Sequence, residues 1–233
     1  MLCGTNKELT KYNIARIKGL GTPYATIKSK NSDHVVANHL ASKAQGLPSQ
    51  VKLAKECQVI LTANLWKEAG LTNGAKGVIK YIVYESNEKP TALPSMVIVQ
   101  FPQYIGPAYL ENCQNCVPIV PIRRVWFSGK KTCWRIMLPL KPAYGTTIHS
   151  SQGQSLDRVI ISLGEYEFAS GLAYTAISRC RKFEYLAFDK LPNFEYFSKK
   201  KTSEKKPSTF NDRMKQDKQE RESDKQFMND ELK

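Results

Sequence analysis

Residues 144–181 constrain the fold more than any other part of the chain, because they alternate polar loops with short apolar runs in a strand–helix–strand rhythm. Arg158-Val159-Ile160-Ile161-Ser162-Leu163 is β-branched and almost continuously apolar, the pattern of a strand covered on both faces. Leu163-Gly164 ends that strand. Residues 169–179 then carry small and apolar side chains at helical spacing, and Tyr185-Leu186-Ala187-Phe188 returns as a second short run. This order predicts parallel pairing with a right-handed crossover, one unit of an α/β domain. Open sheets of this kind bind ligands outside the carboxyl ends of their strands. The polar loops at the strand ends are therefore where chemistry is expected.

Two polar signatures stand at the ends of that strand. Thr147-Ile148-His149-Ser150-Ser151-Gln152-Gly153 supplies hydroxyl, imidazole and amide groups, and its glycine lets a backbone approach closely. Ala176-Ile177-Ser178-Arg179-Cys180-Arg181 places two guanidinium groups near a helix end. An arginine fork there can hold phosphate oxygens through two parallel N–H donors.

These residues resemble a known family. The first signature, followed by Leu156-Asp157-Arg158-Val159, is similar to motif V of the petite-integration-frequency (Pif-one) DNA helicases, a RecD-like branch of superfamily one. Phe168-Ala169-Ser170-Gly171-Leu172-Ala173-Tyr174-Thr175, running into Ala176 through Arg181, is similar to their motif VI. Helicases of rolling-circle (Helitron) transposons share the same core. Leu2-Cys3-Gly4-Thr5-Asn6-Lys7-Glu8 resembles the segment that opens the second motor domain. Val59-Ile60-Leu61-Thr62-Ala63-Asn64-Leu65, with Gly70-Leu71-Thr72-Asn73-Gly74 after it, resembles the entry into an inserted small barrel.

The resemblance implies an α/β fold, the second RecA-like (P-loop NTPase type) motor domain. Residues 1–66 and 139–198 would form it, and 67–138 would be an inserted SH3-like β-barrel. It also implies roles. Arg179 corresponds to the arginine that reaches the γ-phosphate, a role worth about 10³–10⁵-fold in turnover. Gln152 and Gly153 correspond to positions near the nucleotide, and Thr147 and His149 to contacts with single-stranded DNA. Asn64 and Thr5-Asn6 are weaker correspondences, backbone contacts or structural turns. Some relatives place a Glu just after the motif V glycine, against the ribose; Gln154-Ser155 stands there in this chain, so no ribose contact is assigned.

The sequence contains no G-x-x-x-x-G-K-[ST] phosphate loop and no apolar strand ending in an Asp-Glu pair. In such helicases the first motor domain supplies both, so ATP and Mg²⁺ would be held mainly there. The expectation is the carboxy-terminal half of an ATP-dependent 5′-to-3′ helicase acting on single-stranded and forked DNA. On that reading it is monomeric or completed in cis by an amino-terminal motor domain, and inactive by itself. Two other readings stand beside it: a catalytically inactive nucleic-acid-binding module, and an interaction module whose barrel docks a peptide.

A formal charge of +14 over 233 residues favours a polyanionic partner. No run approaches the roughly 18 apolar residues of a membrane helix, and the start of the chain is no signal peptide; the family resemblance implies the nucleus or mitochondrion. Of six cysteines, only Cys113 and Cys116 are close in sequence, too few for a four-ligand zinc site. No metal is expected, and the thiols are expected to be reduced and packed. The middle of the chain shows runs at residues 78–84, 95–101, 117–122 and 134–138 between Asn-, Gly- and Pro-rich turns, the pattern of a small antiparallel barrel. Trp126, Phe127 and Trp134 are core or, if exposed, surfaces for bases to stack on. From Lys199 onward the highly charged sequence reads as a disordered tail.

Overall fold

The computed structural model describes residues 1–39, 41–85, 92–163 and 171–190. The tail from Lys199 and the lead into the crossover helix at 164–170 lie outside the described residues. Strand β1 (Leu2–Cys3) leads into helix α1 (Asn6–Lys18), followed by β2 (Tyr24–Lys28), β3 (Lys30–Asn31), the short α2 (His34–Ala37) and β4 (Gln50–Ala54). The middle carries β5 (Gln58–Leu61), β6 (Lys76–Val83), β7 (Met96–Gln100), β8 (Cys116–Ile119), β9 (Ile122–Ser128), β10 (Lys131–Met137) and β11 (Leu140–Pro142). Then come β12 (Thr146–Thr147), β13 (Val159–Ser162), α3 (Leu172–Ile177) and β14 (Leu186–Phe188).

The strand–helix–strand unit is present and parallel. Strands β12-β1-β13-β14 form a four-stranded sheet in that order, with every pairing parallel. Its core joins Leu2, Ile148, Val159 and Ile161 to Leu172, Ala173 and Ala176 of α3. One expectation is corrected: β13 is not covered on both faces, because Ile160 is 46% exposed while Val159 and Ile161 are buried. Successive side chains point to opposite faces, and α3 packs with only one set.

The middle strands form a five-stranded antiparallel sheet, β11-β5-β6-β7-β8, bulged between Ile79 and Tyr81. Its roots come from either side of the middle segment, since β5 and β11 pair with each other. The run at 117–122 is two strands rather than one, because Pro121 lacks the N–H a ladder needs. The β9–β10 hairpin joins β3 in a separate sheet. Trp126 is core, Phe127 is 77% exposed, and Trp134 lies half-buried under the Arg123 guanidinium, 5.0 Å from the ring centroid. The expectation of uniformly reduced thiols is also corrected: Cys113 and Cys116 are disulfide-bonded, while Cys3, Cys57, Cys133 and Cys180 are free. The tight turn between them brings their Cα atoms within 5.3 Å.

The large core runs from Ile17 to Leu140 and contains, among the described residues, one buried charge. Arg135 is fully buried and donates to Asn31 Oδ1 (2.9 Å), Leu47 O (2.8 Å), Val36 O (2.7 Å), Ala37 O (3.3 Å) and His39 O (3.0 Å). Burial lowers its pKa, and this ring of acceptors replaces the water it loses. Three of the acceptors, Val36, Ala37 and His39, are carbonyls in or just after α2, which therefore depends on β10 for its ending. Its start is held by Asp33, which accepts from Val36 N and pairs with Lys131 at 2.6 Å.

Arg135→Met should destabilise the chain by about 3 kcal/mol or more, since it leaves buried carbonyls without donors. The change should show as a lower urea midpoint with an unchanged slope. The hydrogen bond with Lys131, then that with Val36 N, holds the Asp33 carboxyl down at about 2 against an ordinary 3.8. Its stabilising contribution is therefore complete above pH 4 or so and drains as pH falls through about 2. Asp33→Asn should remove that segment of the acid-unfolding curve, measured by circular dichroism.

Candidate nucleic-acid and nucleotide site

Strands β1 and β12 run side by side and stop together, which sets Gly4, Thr5 and Asn6 beside Thr147, His149 and Ser150 at the carboxyl edge of the sheet. These six residues line a hollow of about 440 Å³. One wall is the start of α1, closed by a reciprocal cap: Glu8 N donates to Thr5 Oγ1 and Thr5 N donates to Glu8 Oε2, both at 3.2 Å. The other wall is a 3₁₀ turn over His149–Ser151. Thr147 shapes that turn, donating through its hydroxyl to Ser150 Oγ at 2.8 Å and accepting from Ser150 N at 3.2 Å. Ser151 is fully buried and donates to Ile148 O at 2.7 Å, while His149 and Ser150 are exposed.

A second hollow of about 420 Å³ adjoins the first, sharing Asn6, Thr147 and Ser150. Gln50, Lys52 and Lys141 line it, so amide and ammonium groups extend the hydroxyl cluster. Such groups suit a phosphodiester backbone, which is gripped mainly by Lys, Ser, Thr and Asn side chains. The Cys3 thiol beneath is pushed up to about 11, chiefly by burial, and so remains protonated.

The chain then turns sharply at Ser151-Gln152-Gly153-Gln154. Gln154 N donates to Ser151 O at 2.9 Å, with Gln152 at φ −59°, ψ 131° and Gly153 at φ 81°. That is a type II turn, whose third position takes glycine because L side chains are strained at positive φ. Beyond it, Leu156 pairs with Cys180: Leu156 N donates to Arg179 O (2.8 Å) and Arg181 N to Leu156 O (3.1 Å). The two polar signatures are thus knitted together ahead of β13 and β14, at the opposite edge of the sheet from His149.

Arg179 is moored without a carboxylate. Its guanidinium donates to Thr175 O (3.1 Å), Gln154 O (3.4 Å) and Ser178 Oγ (3.0 Å), and no ion pair engages it among the described residues. An arginine held by neutral acceptors keeps its full charge for an incoming anion. Arg181 instead pairs with Asp157 at 3.0 Å, with both side chains well exposed, an arrangement of little energetic consequence. Asn64 serves a turn: its Oδ1 accepts from Asn73 N at 2.8 Å. Among the described residues no hydrogen bond joins Asn64 to the turn at 147–150.

Sequence inspection singled out Thr147, His149, Gln152, Gly153 and Arg179, but not the groups that hold them. Ser178 moors Arg179 through its hydroxyl from the adjacent position, which is visible in the sequence, whereas Thr175 does so through its backbone carbonyl, which any residue would supply. The Gln154 carbonyl leaves no trace there, because any residue supplies one.

No protein-family model matches the chain. Among curated proteins it is similar to the ATP-dependent DNA helicase PIF1 of Xenopus laevis, 34% identical over 185 residues, covering 78% of this chain and 26% of that protein. It is also similar to the Pif1 helicase of Campylobacter jejuni, 26% identical over 192 residues, 77% of this chain and 39% of that protein. Among solved structures, Pif1 helicase from Candida albicans superposes with a TM-score of 0.61 at 22% identity, over 83% of this chain and 45% of that one. Bacteroides Pif1 bound to single-stranded DNA gives a TM-score of 0.58 at 18% identity, over 85% of this chain and 42% of that one. The chain spans about a quarter of the length of the vertebrate relatives it matches. In sequence it is related to the Pif1 DNA helicases, and it carries part of their RecA-like helicase fold.

Proposed function

We propose that this chain is the carboxy-terminal portion of an ATP-dependent DNA helicase that moves 5′ to 3′ along a single strand and unwinds the duplex ahead of it. The observation that carries the proposal is the contact between the two signatures, Arg179 moored on the Gln154 carbonyl with no ion-pair partner among the described residues. Residues 1–66 and 139–198 act as the second motor domain. Residues 67–138 act as an inserted SH3-like barrel rooted on the β5–β11 pair. The tail from Lys199 adds a basic extension.

In this reading Thr147 and His149 contact the single strand in the hollow they line, with Asn64 a peripheral contact. Gln152 and Gly153 lie against the nucleotide, and Arg179 places its guanidinium on the γ-phosphate. Mg²⁺ and the phosphates of ATP are held mainly by a first motor domain, whose phosphate loop these residues do not contain. Arg179 is the catalytic residue, stabilising charge as the γ-phosphoryl group leaves. Forked DNA supplies both the single strand to be gripped and the duplex to be opened. The cellular setting is nuclear or mitochondrial.

The chain should bind a fluorescent oligodeoxynucleotide in anisotropy titrations, with affinity that falls steeply as salt rises. His149→Ala should weaken binding about three- to tenfold, the effect of one hydrogen-bonding contact, while Arg179→Ala leaves it unchanged. In a protein that joins the chain to a Pif1-type ATP-binding motor domain, Arg179→Ala should lower DNA-stimulated ATP hydrolysis about 10³-fold or more. Loss limited to a few-fold would assign the chain to nucleic-acid binding without catalysis. Absence of DNA binding at moderate salt would leave the peptide-docking reading.

A further inference from the structure

We propose that Cys113 and Cys116 are a reversible dithiol–disulfide site, exchanging with a low-molecular-weight disulfide of the glutathione class, and that closing it orders the loop carrying Asn64. Independent features place it there. The pair brackets a tight turn in which Cys116 N donates to Cys113 O (3.2 Å) and Cys113 N to Leu110 O (3.0 Å). Cys113 is half-buried and open to a solvent-borne reagent, whereas Cys116 is 1% exposed. That asymmetry gives an attacking thiol and a resolving one. Among the described residues no three metal-ligating side chains cluster around the pair.

The turn belongs to the connector between β7 and β8, and the connector buttresses the loop at 64–73. Phe101 N donates to Asn115 O (2.9 Å) at its base, and Ile105 N donates to Ala69 O (3.2 Å) across to the loop. The Tyr104 ring meets Trp66 edge-on at 6.5 Å. At Gly70 a Cβ would stand 2.6 Å from Gln103 O, so the two backbones are in direct contact. A cross-link in the connector therefore restricts the loop that the Asn64–Asn73 hydrogen bond closes.

The exchange balances without a metal. The Cys113 thiolate attacks one sulfur of glutathione disulfide, forming a mixed disulfide and releasing one glutathione thiolate. The Cys116 thiolate attacks the Cys113 sulfur, closing the protein disulfide and releasing the second glutathione. Two electrons pass from the cysteine pair to glutathione, the two thiol protons leave to the solvent or the departing thiolates, and excess glutathione reverses both steps.

The test equilibrates the intact chain in anaerobic buffers of graded reduced-to-oxidised glutathione ratio, quenches with iodoacetamide, and reads each cysteine by peptide mass spectrometry. The pair should pass from dithiol to disulfide within the series, with any trapped mixed disulfide on Cys113, while Cys3, Cys57 and Cys133 stay reduced. Amide exchange across 64–73 and 101–116 should slow by about tenfold on closure, and Cys113→Ser should abolish that difference. A pair that stays closed or stays open at every ratio overturns the proposal. So does closure that leaves exchange at 64–73 unchanged. None of these outcomes depends on DNA binding or ATP hydrolysis.

Discussion

A buried guanidinium is tolerable only where every lost water is replaced, and in this chain Arg135 makes that demand at the centre of the large core. It draws Asn31 Oδ1 and carbonyls from Val36 to Leu47 onto a single strand, β10. Among its described residues the segment between β3 and β4 has one short helix of its own, and its carbonyls would otherwise face an apolar interior. The arginine thus does for this segment what a longer helix or another strand would do by backbone pairing. The Trp126 ring 5.9 Å from its guanidinium carbon adds a flat polarisable face.

That anchorage reaches the candidate site along the chain. Strand β10 runs directly into Leu138, Leu140 and β11, and from there to Tyr144 and β12. Tyr144 and Gly145 are the joint between the two cores. Gln58 N donates to Tyr144 Oη at 3.2 Å, Arg16 lies over its ring, and Met1 N donates to its carbonyl. Gly145 N donates to Asn13 Oδ1, and a Cβ at Gly145 would stand 3.0 Å from Leu9 Cδ1. The hollow at Thr147 and Ser150 is therefore placed by both cores at once: its α1 wall rests on this joint, and its turn issues from β12.

The two edges of the parallel sheet divide the chemistry. At the carboxyl edge, hydroxyl, imidazole and nearby ammonium groups line the adjoining hollows. At the amino edge, Arg179 has no ion-pair partner among the described residues. The chain between them is short, passing through the 3₁₀ turn and the Gly153 turn. Gln154 touches both sides, its side chain donating to Ser150 O at 3.4 Å and its carbonyl accepting from Arg179.

The strand–helix–strand unit was legible in the sequence because Val159, Ile161, Leu186 and Phe188 repeat at local spacing, and Thr147, His149, Gly153 and Arg179 stood out there by residue type and by the family resemblance. The antiparallel middle strands were legible for the same reason, apart from the break at Pro121. Other features depend on partners remote in sequence. Arg135 looks like any surface arginine until Asn31, Val36, His39 and Leu47 surround it. Ile160 looks as buried as its neighbours until α3 packs with one face only. Cys113 and Cys116 read as an ordinary pair of thiols until the turn brings them within bonding reach. Sequence alone determined which elements form and which side chains bear charge or hydroxyl groups, since those follow from local pattern and residue type. Only the tertiary structure decided which carbonyls satisfy a buried charge and which edge of the sheet each signature occupies, because both depend on long-range pairing that no local spacing encodes.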